Sequence, residues 1–228
     1  MESRPMETGR EDVDRMTLSV RELVLDSSRA DILQAAATCF TERGYAQTSI
    51  DDVARRLGAT KGRIYHHYPS KADLFADVFR TGMDMNFAAV SAVRGMTRTA
   101  VERWLPMARA HARQMIETRP FQRAVWEGVE MHLKGATTPE QRDEFERLVQ
   151  YRTEYGMIFR DILREGHDVG LFRFDNLSIA NQMMFMTLNS PIFWYTPRPG
   201  EIAADVTRII EQVVVCALRG LGAREDTA

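Results

Sequence analysis

The chain is short of several things, and each shortage excludes a class of function. Its 228 residues hold two cysteines, Cys39 and Cys216. They lie far apart, each in an apolar helical pattern, so both read as buried thiols. That leaves no disulfide framework and points to a reducing compartment, the cytoplasm. No apolar run is long enough to cross a bilayer, and the first residues carry no apolar signal core. Neither membrane insertion nor secretion is expected. A surplus of one charge is also missing. The formal net charge is −2, so any nucleic-acid binding must place positive charge locally. The five histidines, His66, His67, His111, His132 and His167, show no metal-ligand spacing. Neither a metal site nor a cofactor is expected. Glycine-rich phosphate loops and nucleophile turns are absent, and Asp51-Asp52 and Glu225-Asp226 read as solvated charges. The chain is not expected to be an enzyme. Strand alternation, repeats and long low-complexity tracts are lacking too, which leaves an all-α fold.

Apolar residues make up 44% of the chain, ample for a core. Their spacing is helical. Ser28 with Asp31 forms a capping box ahead of Leu33, Ala36, Ala37 and Phe40, and Gly44 ends that helix. Thr48 with Asp51 opens a second, with Ile50, Val53, Ala54 and Leu57 on one face and Gly58 as its stop. Only Ala59 and Thr60 separate it from a third, Lys61 to Tyr68, which Pro69 terminates. Ser70 with Asp73 caps a fourth, bearing Leu74, Phe75, Val78 and Phe79.

Three short helices, the last two joined by a very tight turn, make a helix-turn-helix within a three-helix bundle, and the fourth helix is its brace. The third helix has the unusual composition. Lys61, Arg63, Tyr65, His66, His67 and Tyr68 crowd into two turns, and only Ile64 is plainly a core residue. Side chains of this kind suit phosphates and base edges. Residues 29–80 hold eight Lys/Arg against six Asp/Glu, a modest surplus that a dimer would double.

The remainder is helical with a different character. Glycines and methionines suggest loosening across 82–97. Further helices are expected over 99–118, from Pro120 to Gly135, from Thr138 to Gly166, from a cap at Asp175 or Asn176 to Asn189 and from Glu201 to Leu218, with a loop from Pro191 to Gly200. The last helix carries more aliphatic surface than one inward stripe needs, Val213, Val214 and Val215 being consecutive. A fully buried helix is one explanation and a two-fold subunit interface the other, the interface being favoured. The division expected is a flexible arm at 1–25, a DNA-binding domain at 26–80, an effector-binding and dimerisation domain at 81–222, and a tail at 223–228.

Residues 28–75, about a fifth of the chain, closely resemble the DNA-binding domain of the TetR/AcrR family of bacterial transcriptional regulators. The likeness rests on Ser28-Arg29-Ala30-Asp31-Ile32, Phe40, Gly44-Tyr45, Thr48-Ser49-Ile50-Asp51-Asp52-Val53-Ala54, Gly58, Lys61-Gly62, Ile64-Tyr65-His66-His67-Tyr68 and Ser70-Lys71-Ala72-Asp73-Leu74-Phe75. It implies an all-helical homodimer that binds a palindromic operator in double-stranded DNA and is released by a small effector. Carried over residue by residue, it implies operator contacts at Thr48, Lys61, Gly62, Arg63, Tyr65, His67 and Lys71. Lys61 and Arg63 are placed for base edges, Tyr65 and Lys71 for the backbone. Arg63 departs from the family pattern, in which a smaller residue is common. A sparser likeness, Gly166, Gly170-Leu171-Phe172-Arg173, Asp175 and Trp194-Tyr195-Thr196-Pro197 with Gly200, is to the subgroup that senses acyl-CoA thioesters. An unrelated apolar or aromatic effector is the alternative.

Period counting proposes Trp104, Met107, His111, Trp126, Met131, Tyr151, Tyr155, Phe159, Met183 and Trp194 as lining an effector pocket between helices. Arg119, Arg123, Arg152 and Arg173 are the cations available for an anionic effector. The expected function is a ligand-responsive repressor; a transcriptional activator or a ligandless DNA-binding protein is the alternative.

Overall fold

A computed structural model describes residues 8–93, 99–134 and 139–223, with side chains from residue 27 onward apart from those of 139–141. Every regular element among them is a helix: α1 (Thr8–Gln47), α2 (Ile50–Leu57), α3 (Lys61–His67), α4 (Lys71–Ser91), α5 (Ala100–Glu117), α6 (Arg119–Leu133), α7 (Pro139–Asp168), α8 (Leu177–Asn189), α9 (Pro191–Trp194) and α10 (Ala203–Gly220). The expected stop at Gly135, the start at Thr138, the loosening near Gly95 and most of the tail lie outside the described residues, as do residues 1–7 of the arm.

Local chemistry explains most boundaries, and corrects some. Ser28 does not begin a helix. It lies inside α1, which starts at Thr8, and its hydroxyl faces α3 instead. Gly44 breaks α1 with φ 76° and ψ 162°, a backbone conformation open to glycine and strained for other residues. The cap of α2 is Ser49, one residue later than expected: Ser49 and Asp52 bond reciprocally in a capping box. Thr48 is free for another task. Gly58 takes the left-handed conformation at φ 65°, and its N–H and that of Ala59 return to the carbonyls of Ala54 and Arg55. That closes the turn before α3. Ser70 caps α4 through the Asp73 amide, as expected. The Pro191–Gly200 loop contains one helical turn, α9, started by Pro191.

Two buried clusters share α4. The head cluster joins Ile32, Ala36, Phe40, Val53, Ile64, Leu74, Phe75 and Val78, and it takes in Phe121 and Ala124 of α6 and Phe145 of α7. The larger cluster begins at Ala76, Phe79 and Met83 of α4 and continues through Trp104, Phe159, Met184, Leu188 and Val214. Helices α4, α6 and α7 therefore run from one core into the other. Gly128 of α6 permits a close approach to α4: a Cβ there would lie 2.7 Å from Phe79 Cδ2 and 3.3 Å from Phe75 Cε1.

One polar knot fastens the head to α4. Asp77, buried, accepts Nε and Nη2 of Arg29 at 3.0 and 2.7 Å and the Tyr68 hydroxyl at 2.6 Å. Arg80 reaches Asp77 from one side and Glu144 of α7 on the other. The paired carboxylate and phenol raise the Arg29 pKa further above its already high value. Burial, then the bond to Asp77, lifts the Tyr68 phenol above its usual range. The phenol stays protonated and donates.

Candidate nucleic-acid interface and ligand cavity

Helix α3 presents Lys61, Gly62, Arg63, Tyr65 and His66 to solvent, while Ile64 is fully buried. No acidic residue lies in its first turn. Lys61 Nζ rests 2.5 Å from Asp51 Oδ2 of α2. Arg63 donates from Nε and Nη2 to Ser28 Oγ at 3.3 and 3.2 Å, and His67 Nε2 lies 3.4 Å from the same oxygen. Burial first, then the charges of His66, Arg63 and Arg29, hold His67 below the ordinary histidine range. It is a neutral hydrogen-bonding group at neutral pH. A Cβ at Gly62 would meet only Thr60 Oγ1, at 3.8 Å. Nothing inside the protein demands glycine there.

Two of the seven residues expected at the operator are turned inward. Thr48 is 2% exposed, and its hydroxyl donates to the carbonyls of Gly44 and Cys39 at 2.8 and 3.2 Å. Lys71 donates to the carbonyls of Tyr45 and Thr48, both at 2.9 Å, and its ammonium lies 4.3 Å from the centre of the Tyr45 ring. Desolvation lowers its pKa. These two groups satisfy carbonyls released where Gly44 breaks α1. They shape the loop on which α2 and α3 rest.

In the C-terminal region, α4 to α9 surround a cavity of about 220 Å³. Of the ten residues expected to line a pocket, His111, Trp126 and Tyr155 do. Trp104, Met107 and Phe159 are fully buried in the core, and Trp104 Nε1 donates to Met184 Sδ at 3.1 Å. Met131 packs against the head cluster. Tyr151 stacks on Phe87 and donates to Asp84 at 2.7 Å. Met183 and Trp194 are more than half exposed, and Trp194 borders a separate surface groove with Arg198, Ile209 and Gln212. The helical period picked inward faces for most of these residues, though not for Met183 and Trp194. It could not tell a packed face from one bordering a void.

The cavity is more polar than the expected aromatic lining. His111 is 2% exposed and its pKa is lowered to about 4 by burial, with the Asn189 bond opposing and Arg152 reinforcing the shift. As a neutral ring it has one N–H. Its Nε2 lies 2.8 Å from Asn189 Oδ1, so that nitrogen donates, and Nδ1 accepts the Tyr155 hydroxyl at 2.7 Å. Beyond these lie Asn86, Gln122, Arg152, Arg160, Asn181 and Gln182, of which only Arg152 was among the cations picked from the sequence. Arg119 instead donates to the Ile192 carbonyl at 3.0 Å, Arg123 lies 5.5 Å from the Phe193 ring centre, and Arg173 is exposed. The missed polar residues carried one weak signal. Asn86, Gln122 and Asn181 are amides within apolar helical patterns, where an inward polar group needs a partner.

Helix faces left uncovered gather at α8 and α9. Ile179, Met183, Met186, Phe193, Trp194 and Ile202 are all exposed. Val213 and Val214 of α10, expected at the interface, are buried inside the subunit, and Cys216, expected to be buried, is exposed. No described helix is long and apolar enough to cross a membrane. No group of three or more potential metal ligands occurs among the described residues.

Comparison with known proteins agrees with this architecture. The chain is 26% identical over 196 residues to the HTH-type transcriptional repressor KstR2 of Mycolicibacterium smegmatis, covering 86% of this chain and 91% of that one. The crystal structure of PfmR, a TetR family transcriptional regulator from Thermus thermophilus, superposes with a TM-score of 0.67 at 28% identity, over 83% of this chain and 98% of PfmR. The ketosteroid transcriptional regulator KstR2 of Mycobacterium tuberculosis shares the fold at a TM-score of 0.71 and 23% identity, over 86% and 95%. The pattern of bacterial regulatory proteins of the tetR family matches residues 32–78, and that of the tetracyclin repressor-like C-terminal domain matches residues 97–221. With its helix-turn-helix and its C-terminal helices both matched, the chain belongs to the TetR family of DNA-binding bacterial transcriptional regulators.

Proposed function

We propose that this regulator is a repressor that binds palindromic operator DNA as a homodimer in the cytoplasm and is released by a small effector seated in the C-terminal cavity. The observation that carries the ligand-responsive part is the path between cavity and head. Helix α6 lends Gln122 and Trp126 to the cavity. One residue further on, Glu127 accepts the Tyr45 N–H at 2.6 Å, next to the Gly44 break. Helix α7 lends Arg152, Tyr155 and Arg160 to the cavity. Two turns earlier Phe145 stacks on Phe75 in the head, with ring centres 5.9 Å apart. A ligand that moves α6 or α7 is thereby coupled to the head, through Glu127 and the close packing of Gly128 on α4 in one case and through Phe145 in the other.

Release requires that the effector bind better when the two heads are misplaced for DNA. Equal affinity for both arrangements would shift nothing. At the operator, Lys61, Gly62, Arg63, Tyr65 and His67 form the reading surface. Arg63 contacts a base edge and Lys61 leaves Asp51 for DNA, while Gly62 lets the backbone approach the groove. Thr48 and Lys71 act from beneath, through the loop. The exposed apolar side chains of α8 and α9 support pairing of subunits across these helices. The repressor named among the relatives supports repression. An acyl-CoA thioester is one effector chemistry to test. The experiment is a thermal-shift screen of acyl-CoAs, free acids and apolar drugs, with operator release measured for each hit. A hit that stabilises the protein and releases operator supports the reading. Hits that all leave operator bound would refute it.

A further inference from the structure

The cavity carries a charge imbalance. Its walls contain two arginines, Arg152 and Arg160, and no aspartate or glutamate. The chain as a whole is slightly acidic, so the imbalance is local. Several arginines elsewhere in the fold find carboxylates, as Arg29, Arg80 and Arg109 do. Neither Arg152 nor Arg160 pairs with a carboxylate of any described residue, and Arg160 Nε is buried with no hydrogen-bond partner. Burial lowers the Arg152 pKa with nothing to oppose it. Both residues are half-buried, so each charge is partly removed from water with no carboxylate to offset it, an unfavourable arrangement that an anion would relieve.

The two arginines share one side of α7. With Gly156 they fall at i, i+4 and i+8 of α7, along one stripe, the outer Cα atoms about 12 Å apart at 1.5 Å rise per residue. Gly156 has no positive φ, and a Cβ there would meet only Phe185 Cε2 at 3.8 Å. Folding does not require glycine at this point. Its absent side chain leaves open space on the stripe between the two arginines.

A second orphan group belongs to the same cavity. The Gly82 carbonyl can only accept, so Gln122 must present Nε2 to it, at 3.1 Å. That turns Gln122 Oε1 to Asn86, which must answer with Nδ2, at 2.8 Å. Asn86 Oδ1 is then left over, buried and without a donor, on a residue 3% exposed. The backbone carbonyl fixes this orientation, so the amide cannot simply be flipped. Asn181 Oδ1 on α8 is likewise buried without a partner.

We infer that the cavity is built for an organic anion that also carries a hydrogen-bond donor, its acidic group held between Arg152 and Arg160 over Gly156 and its donor accepted by Asn86. The inference rests on the ligand-responsive reading and narrows it. Carboxylate and phosphate oxygens both meet the guanidinium requirement. At about 220 Å³ the cavity is smaller than the roughly 300–1,000 Å³ of drug-sized sites. A short hydroxy acid fits whole, whereas a carrier nucleotide would stay outside.

The test uses the full chain in two arms. Without ligand, Arg152→Met and Arg160→Met keep the side-chain stem and remove the charge. Their melting temperatures should equal the wild-type value or exceed it by about 2–4 °C. A drop of that size in both would mean that the charges serve the fold, and would overturn the inference. With ligand, the probes are 8-hydroxyoctanoate, 8-hydroxyoctanamide, octanoate and octanoyl-CoA. The hydroxy acid should bind at least about tenfold more tightly than its amide, the worth of one charge-assisted contact. The double arginine variant should lose that preference, and Asn86→Leu should lose the advantage of hydroxy acid over octanoate. Binding of octanoyl-CoA in place of the free acids, with the same arginine dependence, would assign the anion to carrier phosphates outside the cavity and overturn the inference. Equal binding of acid and amide, a preference untouched in the double variant, or no anion binding at all would overturn it. Operator anisotropy run in parallel separates the two readings. An acid that binds without releasing DNA leaves this inference standing and removes the effector reading. Release by the amide alone does the reverse.

Discussion

Replacing Asp77 by alanine should loosen the head from α4 by a calculable amount. The carboxylate is buried and serves three donors, Arg29, Tyr68 and Arg80. Tyr68 is 5% exposed, so its hydroxyl would be left buried without an acceptor, a loss of about 1–3 kcal/mol. The Arg29 side chain is 51% exposed and can return to water, so its share is about 0–1 kcal/mol. The sum centres on about 2.5 kcal/mol. For a chain of this size each kcal/mol lowers the melting temperature by about 2–4 °C, giving a fall of about 5–10 °C. Melting should be followed by circular dichroism at one fixed protein concentration, because subunit association also stabilises. Adding Tyr68→Phe removes the orphaned hydroxyl and should recover part of the loss, as a double-mutant cycle would register. A fall under about 2 °C, the shift expected from less than one kcal/mol, or no recovery in the double variant, would refute the reasoning that Asp77 is the knot between head and α4.

Three further outcomes follow from the same geometry. Lys71→Ala releases the Tyr45 and Thr48 carbonyls and should lower stability by about 1–2 kcal/mol; it should also weaken binding to operator and scrambled duplex alike, and an unchanged melting curve would instead put the ammonium on a phosphate. Arg63→Ala should reduce discrimination at one base pair per half-site by about 1–3 kcal/mol, read as the ratio of operator to scrambled affinity at fixed salt; equal losses on both would make it a backbone contact. His111 has its folded pKa lowered from 6.5 to about 4, so the unfolded chain takes up a proton in that window while the folded one does not. The stability it contributes is complete above about 6.5 and is lost as pH falls toward 4, on the order of 3 kcal/mol in all. The stability difference between wild type and His111→Gln should shrink by that much across the same window in urea titrations, and a constant difference would contradict the assignment.

The helices were legible in the sequence because their signals are local. Gly58, the Ser70–Asp73 pair, Pro120 and Asn176 act within four residues, and the structure uses each where the sequence puts it. The errors have physical reasons. Ser28 has the chemistry of a cap, but α1 continues through it, and a serine inside a helix is free to bond across to Arg63 and His67. Thr48 and Ser49 are adjacent candidates for one cap, and the winner was decided by the Gly44 carbonyl, which claims Thr48. At the cavity, aromatic and methionine residues were chosen because large apolar side chains commonly line ligand sites. Trp104, Met107 and Phe159 show that the same residues fill solid core equally well. What distinguishes this cavity is a shortage of partners around Arg152, Arg160 and Asn86. That is a property of several helices at once and has no period along the chain.

The most direct measurement is selection of bound duplexes from a random library by the purified protein, followed by titration of the enriched duplex at several salt concentrations. The account predicts a palindromic motif whose half-sites lie about one or more helical turns apart, bound by an even number of chains, with preference over scrambled duplex reduced by Arg63→Ala. Enrichment of no motif, or equal affinity for selected and scrambled duplexes at the same salt, would contradict it.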